Sequence, residues 1–355
     1  MGEKVLLSGN EALAEAAIRA GCRFFYGYPI TPQGEILEHM ARRLPEVGGV
    51  FLQSESEVSA INMVYGTAAA GKRVMTASSG PGISLMQEGI SFLAAAFLPC
   101  VIVNVMRSGP GLGRVRPSQA DYLQATKGGG HGDYRVVVLA PASVQEMADL
   151  TVEAFTIADR YRNPAMILCD GILGQMMEGV DLPSPTHLGS LPPKPWATTG
   201  AENRPRNLVL AAPLTDDELI ALNEELGNKY RNVQEREPKW EAQLLDDAEL
   251  VIVAFGSSAR IATDAVLKAR EDGMKVGLVR PITLWPFPTE AFDDLRERVK
   301  HYLVVEMNNG QMIEDVRLAA PADAQVRHFG KGGGWVPSSQ DVYDEILRMC
   351  RKGSL

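Results

Sequence analysis

The sequence predicts an α/β protein: a doubly wound parallel sheet followed by a smaller α/β unit. Three observations carry that expectation. Continuously apolar runs such as 73–77 and 100–106 alternate with helical stretches, and strands of that kind belong to a parallel sheet covered on both faces. Polar residues follow immediately after those runs, at the edge where open α/β sheets bind ligands. The composition also changes between 181 and 247, separating two regions of this type.

Residues 1–180 form the first predicted unit. Helix 10–20 is ended by Gly21, and 24–29 is a strand and turn. Pro32 sits where a helix start tolerates proline, with the helix continuing over 33–43. Strand 49–52, helix 56–70 and strand 73–77 follow, and Ser79-Gly80-Pro81-Gly82 leads into helix 83–96. Strand 100–106, a glycine-rich loop over 108–132, strand 135–139, helix 144–161 and strand 165–169 close the unit. Residues 181–247 are proline-rich and then charged, and read as a linker with one helical arm over 216–240. Residues 248–355 form the second unit, with strands at 250–255, 275–279 and 302–305 and helices at 260–269 and 289–299.

The 355 residues, 45% hydrophobic and 22% charged, are enough for large cores in two or three domains. A net charge of −9 without a basic run argues against nucleic acid. The four cysteines, 22, 100, 169 and 350, have no CxxC spacing, so this chain supplies neither a disulfide framework nor a cluster site, and a reducing cytoplasm fits. The N-terminus lacks the apolar core of a signal peptide. The apolar run 90–106 is interrupted by Pro99 and Asn104 and reads as helix turning into buried strand, not as a membrane span.

Glu57 opens what reads as the most buried helix, with Ile61, Val64 and Ala68 on its stripe. A buried charge there needs a partner or a raised pKa, since unpaired burial costs several kcal/mol. Two readings stand: a capping box, Ser54-x-x-Glu57, or a functional carboxylate. Thr31, Glu57, Ser79-Gly80 and Arg107 each follow a predicted strand end, which is more than capping needs and points to one site. Arg107 offers two parallel hydrogen bonds to a carboxylate, with a structural salt bridge as the alternative.

Other motifs fall away. Gly109-Pro110-Gly111-Leu112-Gly113 lacks the third glycine and the following helix of a dinucleotide fingerprint. Lys127-Gly128-Gly129-Gly130-His131 has the wrong order for a phosphate loop, and His131 reads as solvated. Cys169 stands where a Gly-Asp-Gly metal motif would need glycine before Asp170-Gly171, so no metal ligands are expected in this chain.

At Tyr28-Pro29-Ile30-Thr31-Pro32, Ser56-Glu57, Arg107, Gly256-Ser257-Ser258-Ala259-Arg260 and Glu306-x-Asn308-x-Gly310-Gln311, the chain resembles a known family. It is similar to the alpha-type subunits of 2-oxoacid:ferredoxin oxidoreductases, and within them to the branched-chain (2-oxoisovalerate) enzymes. The resemblance implies a pyrimidine-binding domain for thiamine diphosphate, then a transketolase-C-terminal-like domain. It implies that Glu57 bonds N1′ of the aminopyrimidine and favours the tautomer that removes the thiazolium C2 proton. Ser79 and Gly80 are then expected beside the cofactor, and Thr31 and Arg107 at the oxoacid carboxylate or coenzyme A. A beta-type subunit would share the thiamine diphosphate and bring Mg2+ and a cluster. A gamma-type subunit, a ferredoxin-like cluster subunit and external ferredoxin complete the implied assembly, cytoplasmic and inactive as this chain alone. The rival expectations are the same chemistry on 2-oxoglutarate, pyruvate or an aryl pyruvate, or a scaffold without catalysis. The small and apolar loop after Arg107 favours a branched-chain substrate over 2-oxoglutarate, which would need a second cationic group. Arg114 and Arg116 are the nearby candidates for that group and read as solvated or partner-facing.

Overall fold

A computed structural model of the chain describes residues 4–351. Its larger sheet has eight strands. In spatial order seven are Thr283–Trp285, Val137–Leu139, Pro164–Asp170, Cys100–Ser108, Val74–Ser78, Phe24–Gly27 and Val50–Gln53. The eighth, Arg114–Pro117, pairs antiparallel with the end of Cys100–Ser108. The pairings from Val137–Leu139 across to Val50–Gln53 are all parallel. Cys100–Ser108 and Pro164–Asp170 are buried along their whole length, which is why their sequences carry no alternation.

Helices follow the strands. Gly9–Arg19 starts at a capping box of Ser8 with Glu11. Val144–Tyr161 is capped by Ser143 and stopped at Arg162, whose φ of 48° is left-handed. The helix expected from Pro32 begins instead at Gly34, and runs to Glu46.

The second sheet has the order Trp240–Gln243, Val276–Pro281, Leu250–Ala254, His301–Val305, Gln325–Phe329, antiparallel only at the first pair. The arm expected as one helix over 216–240 ends at Arg236, because Pro238 biases Glu237 away from helical geometry. The chain then enters strand Trp240–Gln243. Thr283–Trp285 leaves the second unit and adds antiparallel to Val137–Leu139 of the first sheet. Residues 289–295 form a 3₁₀ helix rather than an α-helix.

One contiguous core joins the two sheets: Leu13, Ile102 and Val138 belong to the same apolar cluster as Val253, Phe255 and Tyr302. Two buried polar side chains fix the contact. Asp170 accepts from Ser257 Oγ (2.7 Å) and from the Ser257, Ile172 and Leu173 N–H groups. Burial pushes its carboxyl upward, with the Ser257 hydrogen bond opposing. Gln119 donates to the Phe255 carbonyl (2.8 Å) and accepts from Ser258 Oγ (2.7 Å) and the Met307 N–H (3.1 Å).

Candidate functional site

Glu57 is the first residue of helix Glu57–Ala69, with 5% of its surface exposed. The capping-box reading fails on geometry. Ser56 caps the helix in extended backbone, accepting from the Ser59 N–H at 3.3 Å, while the Ser54 hydroxyl is buried without a partner. Among the described residues Glu57 forms no ion pair or side-chain hydrogen bond. A negative group in a first helical turn is favoured by the N-terminal dipole.

The neighbouring helix, Pro81–Ala95, closes over this carboxylate through a glycine. A Cβ on Gly82 would lie 2.5 Å from Glu57 Oε1 and 2.1 Å from Ser78 Oγ, so no larger residue fits without displacing them. The hydroxyls of Ser78 and Ser79 are buried and have no partner. A buried acceptor and an orphaned hydroxyl around a glycine, with a second orphaned hydroxyl at the neighbouring Ser79, are a donor–acceptor set suited to a polar, hydrogen-bonding ligand.

Arg107 lies at the end of Cys100–Ser108, 8% exposed. It donates to the Thr31 carbonyl (3.1 Å) and the Leu112 carbonyl (2.9 Å), and its Nε has no partner. No carboxylate pairs with it among the described residues, so the structural salt bridge is not there. A Cβ on Gly80 would come 3.5 Å from Arg107 Cγ, so the Ser79-Gly80 turn lies against the arginine stem. Thr31 is exposed and meets Arg107 through its carbonyl. Glu57, Ser79, Gly80, Thr31 and Arg107 are thus one neighbourhood at the carboxyl edge of the sheet.

A cleft of about 960 Å³ opens beside it, between the two units. The first unit lines it with Gly80, Arg107, the Ser108–Gly111 turn and Asp121. Burial raises the Asp121 carboxyl, opposed by its bond from Asn104 and the Arg107 charge. The second unit lines it with Asn308, Gln311 and the Lys331–Gly333 turn. Glu306, fully buried, builds that wall: it accepts from Asn308 Nδ2 (2.8 Å) and from the N–H groups of Gln311, Met312 and Ile313. Asn309 Oδ1 in turn accepts from the Gly332 N–H at 2.8 Å. Lys331 follows strand Gln325–Phe329, so the strand-end rule would have found it had that strand been read.

The Lys127 turn is tied down, its ammonium pairing with Asp315, and His131 is exposed. Among the described residues no group of three or more His, Cys, Asp or Glu is placed to hold a metal, and no helix is long and apolar enough to cross a membrane.

Comparison with known proteins places the whole chain. Residues 15–240 match the family model "Pyruvate flavodoxin/ferredoxin oxidoreductase, thiamine diP-bdg", and residues 248–342 match "Pyruvate:ferredoxin oxidoreductase core domain II". The chain is 52% identical to the ketoisovalerate oxidoreductase subunit VorB of Methanothermobacter thermautotrophicus, covering 98% of this chain and 99% of that one. It is 40% identical to the 2-oxoglutarate synthase subunit KorA of the same organism, over 99% and 100%. A solved 2-oxoglutarate:ferredoxin oxidoreductase from Magnetococcus marinus, with 2-oxoglutarate, coenzyme A and succinyl-CoA bound, superposes with a TM-score of 0.86. Identity there is 26%, over 98% of this chain and 65% of that one. A split-gene transketolase, at 13% identity and a TM-score of 0.60, shares the fold.

Proposed function

The chain belongs to the pyruvate flavodoxin/ferredoxin oxidoreductase family as an alpha-type subunit, and from that premise we propose that it acts in the oxidative decarboxylation of branched-chain 2-oxoacids. The products are acyl-coenzyme A and CO2, with electrons passed to ferredoxin. The observation that carries the reading is Glu57: a buried carboxylate without a partner among the described residues, beside Gly82 and the orphaned Ser78 hydroxyl.

Those residues fit the aminopyrimidine half of thiamine diphosphate, a flat polar ring with both donors and acceptors. When bound, the cofactor supplies the electron sink for decarboxylation. Glu57 accepts a hydrogen bond at N1′ and, being shielded from water, stabilises a proton held on that nitrogen. Ser79 and Gly80 line the approach, and Gly80 leaves room for a ligand against the Arg107 stem. Arg107, with Nε free of any partner, binds and orients the oxoacid carboxylate beside Thr31.

The diphosphate, Mg2+ and a cluster are assigned to a beta-type subunit, since Cys169 stands where a Gly-Asp-Gly metal motif in this chain would need glycine. A gamma-type subunit and a ferredoxin-like cluster subunit complete the assembly, which works in the cytoplasm and reduces external ferredoxin. All four cysteines are unpaired, in keeping with that compartment.

One observation favours 2-oxoglutarate as a second reading. Lys331 places a second cation in the cleft of Arg107, which a distal carboxylate would suit. Steady-state kinetics of the reconstituted complex decide between them. The branched-chain reading expects a higher kcat/KM with the branched-chain oxoacid, because each matched methylene in an apolar pocket supplies about 1–3 kcal/mol. A higher value with 2-oxoglutarate reverses the assignment.

A further inference from the structure

Two walls of the cleft carry cations, and one branched-chain oxoacid neutralises only one of them. Arg107, buried at the strand end, meets the single carboxylate such a substrate has. Lys331 stands on the opposite wall, exposed, and among the described residues it forms no ion pair; its ammonium lies 5.3 Å over the Trp335 ring. The one acid lining the cleft, Asp121, accepts from Asn104 at 3.0 Å on the first unit's side. Asp341, outside the cleft lining, feels the Lys331 charge, but its carboxylate is bonded first to the Ser338 hydroxyl and N–H, so an anion entering the cleft meets Lys331 with no acid lining that wall.

The turn that carries Lys331 is shaped for close approach. Gly333 and Gly334 have φ of +78° and +87°, backbone that side chains rarely adopt. A Cβ on Gly333 would meet nothing within 4 Å, so its backbone faces open space. A Cβ on Gly334 would lie 2.4 Å from Arg116 Cβ, so the stem of a further arginine runs directly beneath the turn. Arg116 likewise forms no ion pair among the described residues. Asn309 fixes the turn by taking the Gly332 N–H, and Glu306 fixes the segment that carries Asn309. Two unpaired cations and an open glycine backbone on an anchored turn form an arrangement that suits a phosphate.

We propose that Lys331, with Gly332–Gly333 and Arg116 beside it, is the seat for the anionic phosphate groups of coenzyme A at the mouth of this cleft. The inference rests on the branched-chain reading, which leaves the second cation without a substrate charge to pair with. An anion at Lys331 has one other source, the distal carboxylate of a dicarboxylic oxoacid, and the experiment separates them.

The test uses the assembled complex with Lys331→Met, and Lys331→Arg as a charge-preserving control. Calorimetric titration with coenzyme A, without any oxoacid, is expected to show a Kd raised about tenfold in Lys331→Met and near wild type in Lys331→Arg. In turnover with 2-oxoisovalerate, KM for coenzyme A rises by a similar factor, while kcat and KM for the oxoacid stay within about twofold. With pantetheine, which lacks the phosphates, wild type and Lys331→Met behave alike. An unchanged Kd for coenzyme A overturns the proposal. So does weakened binding confined to 2-oxoglutarate, which would give Lys331 to a distal carboxylate. Failure of wild type to turn over 2-oxoisovalerate sinks the substrate reading instead, and the coenzyme A titration still decides this one.

Discussion

On the proposed reading Glu57 carries the chemistry, and among the described residues nothing competes for it. Its carboxylate is buried, unpaired, and held at a helix start. Glu57→Gln keeps the shape and one acceptor but could not stabilise a positive charge on the ring nitrogen that the proposal sets against it. The expected loss of oxoacid decarboxylation by the complex is about a hundredfold or more, with assembly intact on gel filtration. Activity near wild type would return Glu57 to a structural role and revive the scaffold alternative. The stripe and the strand-end position locate this residue in the sequence, yet local pattern alone misassigns its cap. Ser54 and Ser56 both precede it at plausible spacing, and only the extended backbone at Ser56 decides between them. Lys229 is the opposite case, a buried ion with no role in the site. Its ammonium has no hydrogen-bond partner and lies 4.3 Å over Phe97 and 5.0 Å over Tyr230. Burial, then the Arg162 charge, push it down to about 7, with Glu225 opposing. The unfolded chain holds that proton up to about 10.4, so between these values it binds more protons than the folded chain and stability rises with pH. The penalty is complete below about 7. Lys229→Met should therefore raise Tm of the purified chain, by more at about pH 6.5 than at about pH 9.5 on the strength of that window. An equal shift at both would show that the ammonium is solvated.

At the scale of elements, the helices Glu57–Ala69 and Pro81–Ala95 approach one another through glycines at two points, with different consequences. Gly82 meets Glu57 and Ser78 at the site, whereas a Cβ on Gly89 would lie 2.5 Å from Ile61 Cγ2 in the apolar interior. Gly82→Ala should cost activity by about a hundredfold through displacement of Glu57, with far-UV dichroism retained. Gly89→Ala should cost about 1–3 kcal/mol of stability by overpacking, read as a lower Tm. If Gly82→Ala keeps full turnover, the carboxylate does not need its present position. Elements are legible where local signals agree: Val144–Tyr161 has a Ser cap, eighteen residues of helical apolar spacing and a defined stop. They are not where the partner strand is remote. Part of Trp240–Gln243 reads as helix because its charged residues continue the arm, and only pairing with Val276–Pro281 makes it a strand. Thr283–Trp285, between prolines, has no strand signal apart from Val137–Leu139, to which it pairs from the other unit. The same holds for the site: Arg107 is legible at a strand end, but its Thr31 and Leu112 carbonyl partners and the Lys331 wall exist only once both sheets are folded.

Across the whole molecule, the two sheets are held as one body by a shared apolar core and by Gln119. That side chain is fully buried in the seam, and its three partners, Phe255, Ser258 and Met307, all belong to the second unit. Its backbone adds two more bonds, from its N–H to the Met307 carbonyl and from Asn308 Nδ2 to its own carbonyl. Heating should therefore unfold the chain in a single calorimetric transition, since neither sheet can lose its partner without exposing common core. Gln119→Ala removes the side-chain partners but spares the backbone pair. Each orphaned buried group then costs about 1–3 kcal/mol, so Tm should fall by several degrees or the transition split in two. The consequence reaches the cleft, because Met307 and Asn308 are the residues Gln119 anchors and Asn308 lines the opening. In the assembled complex Gln119→Ala should thus raise KM for the substrates more than it lowers kcat, the signature of a wall that has moved while Glu57 has not. A variant with unchanged Tm and unchanged KM would mean that the apolar core alone sets the relation of the two units, and that Gln119 only fills space between them.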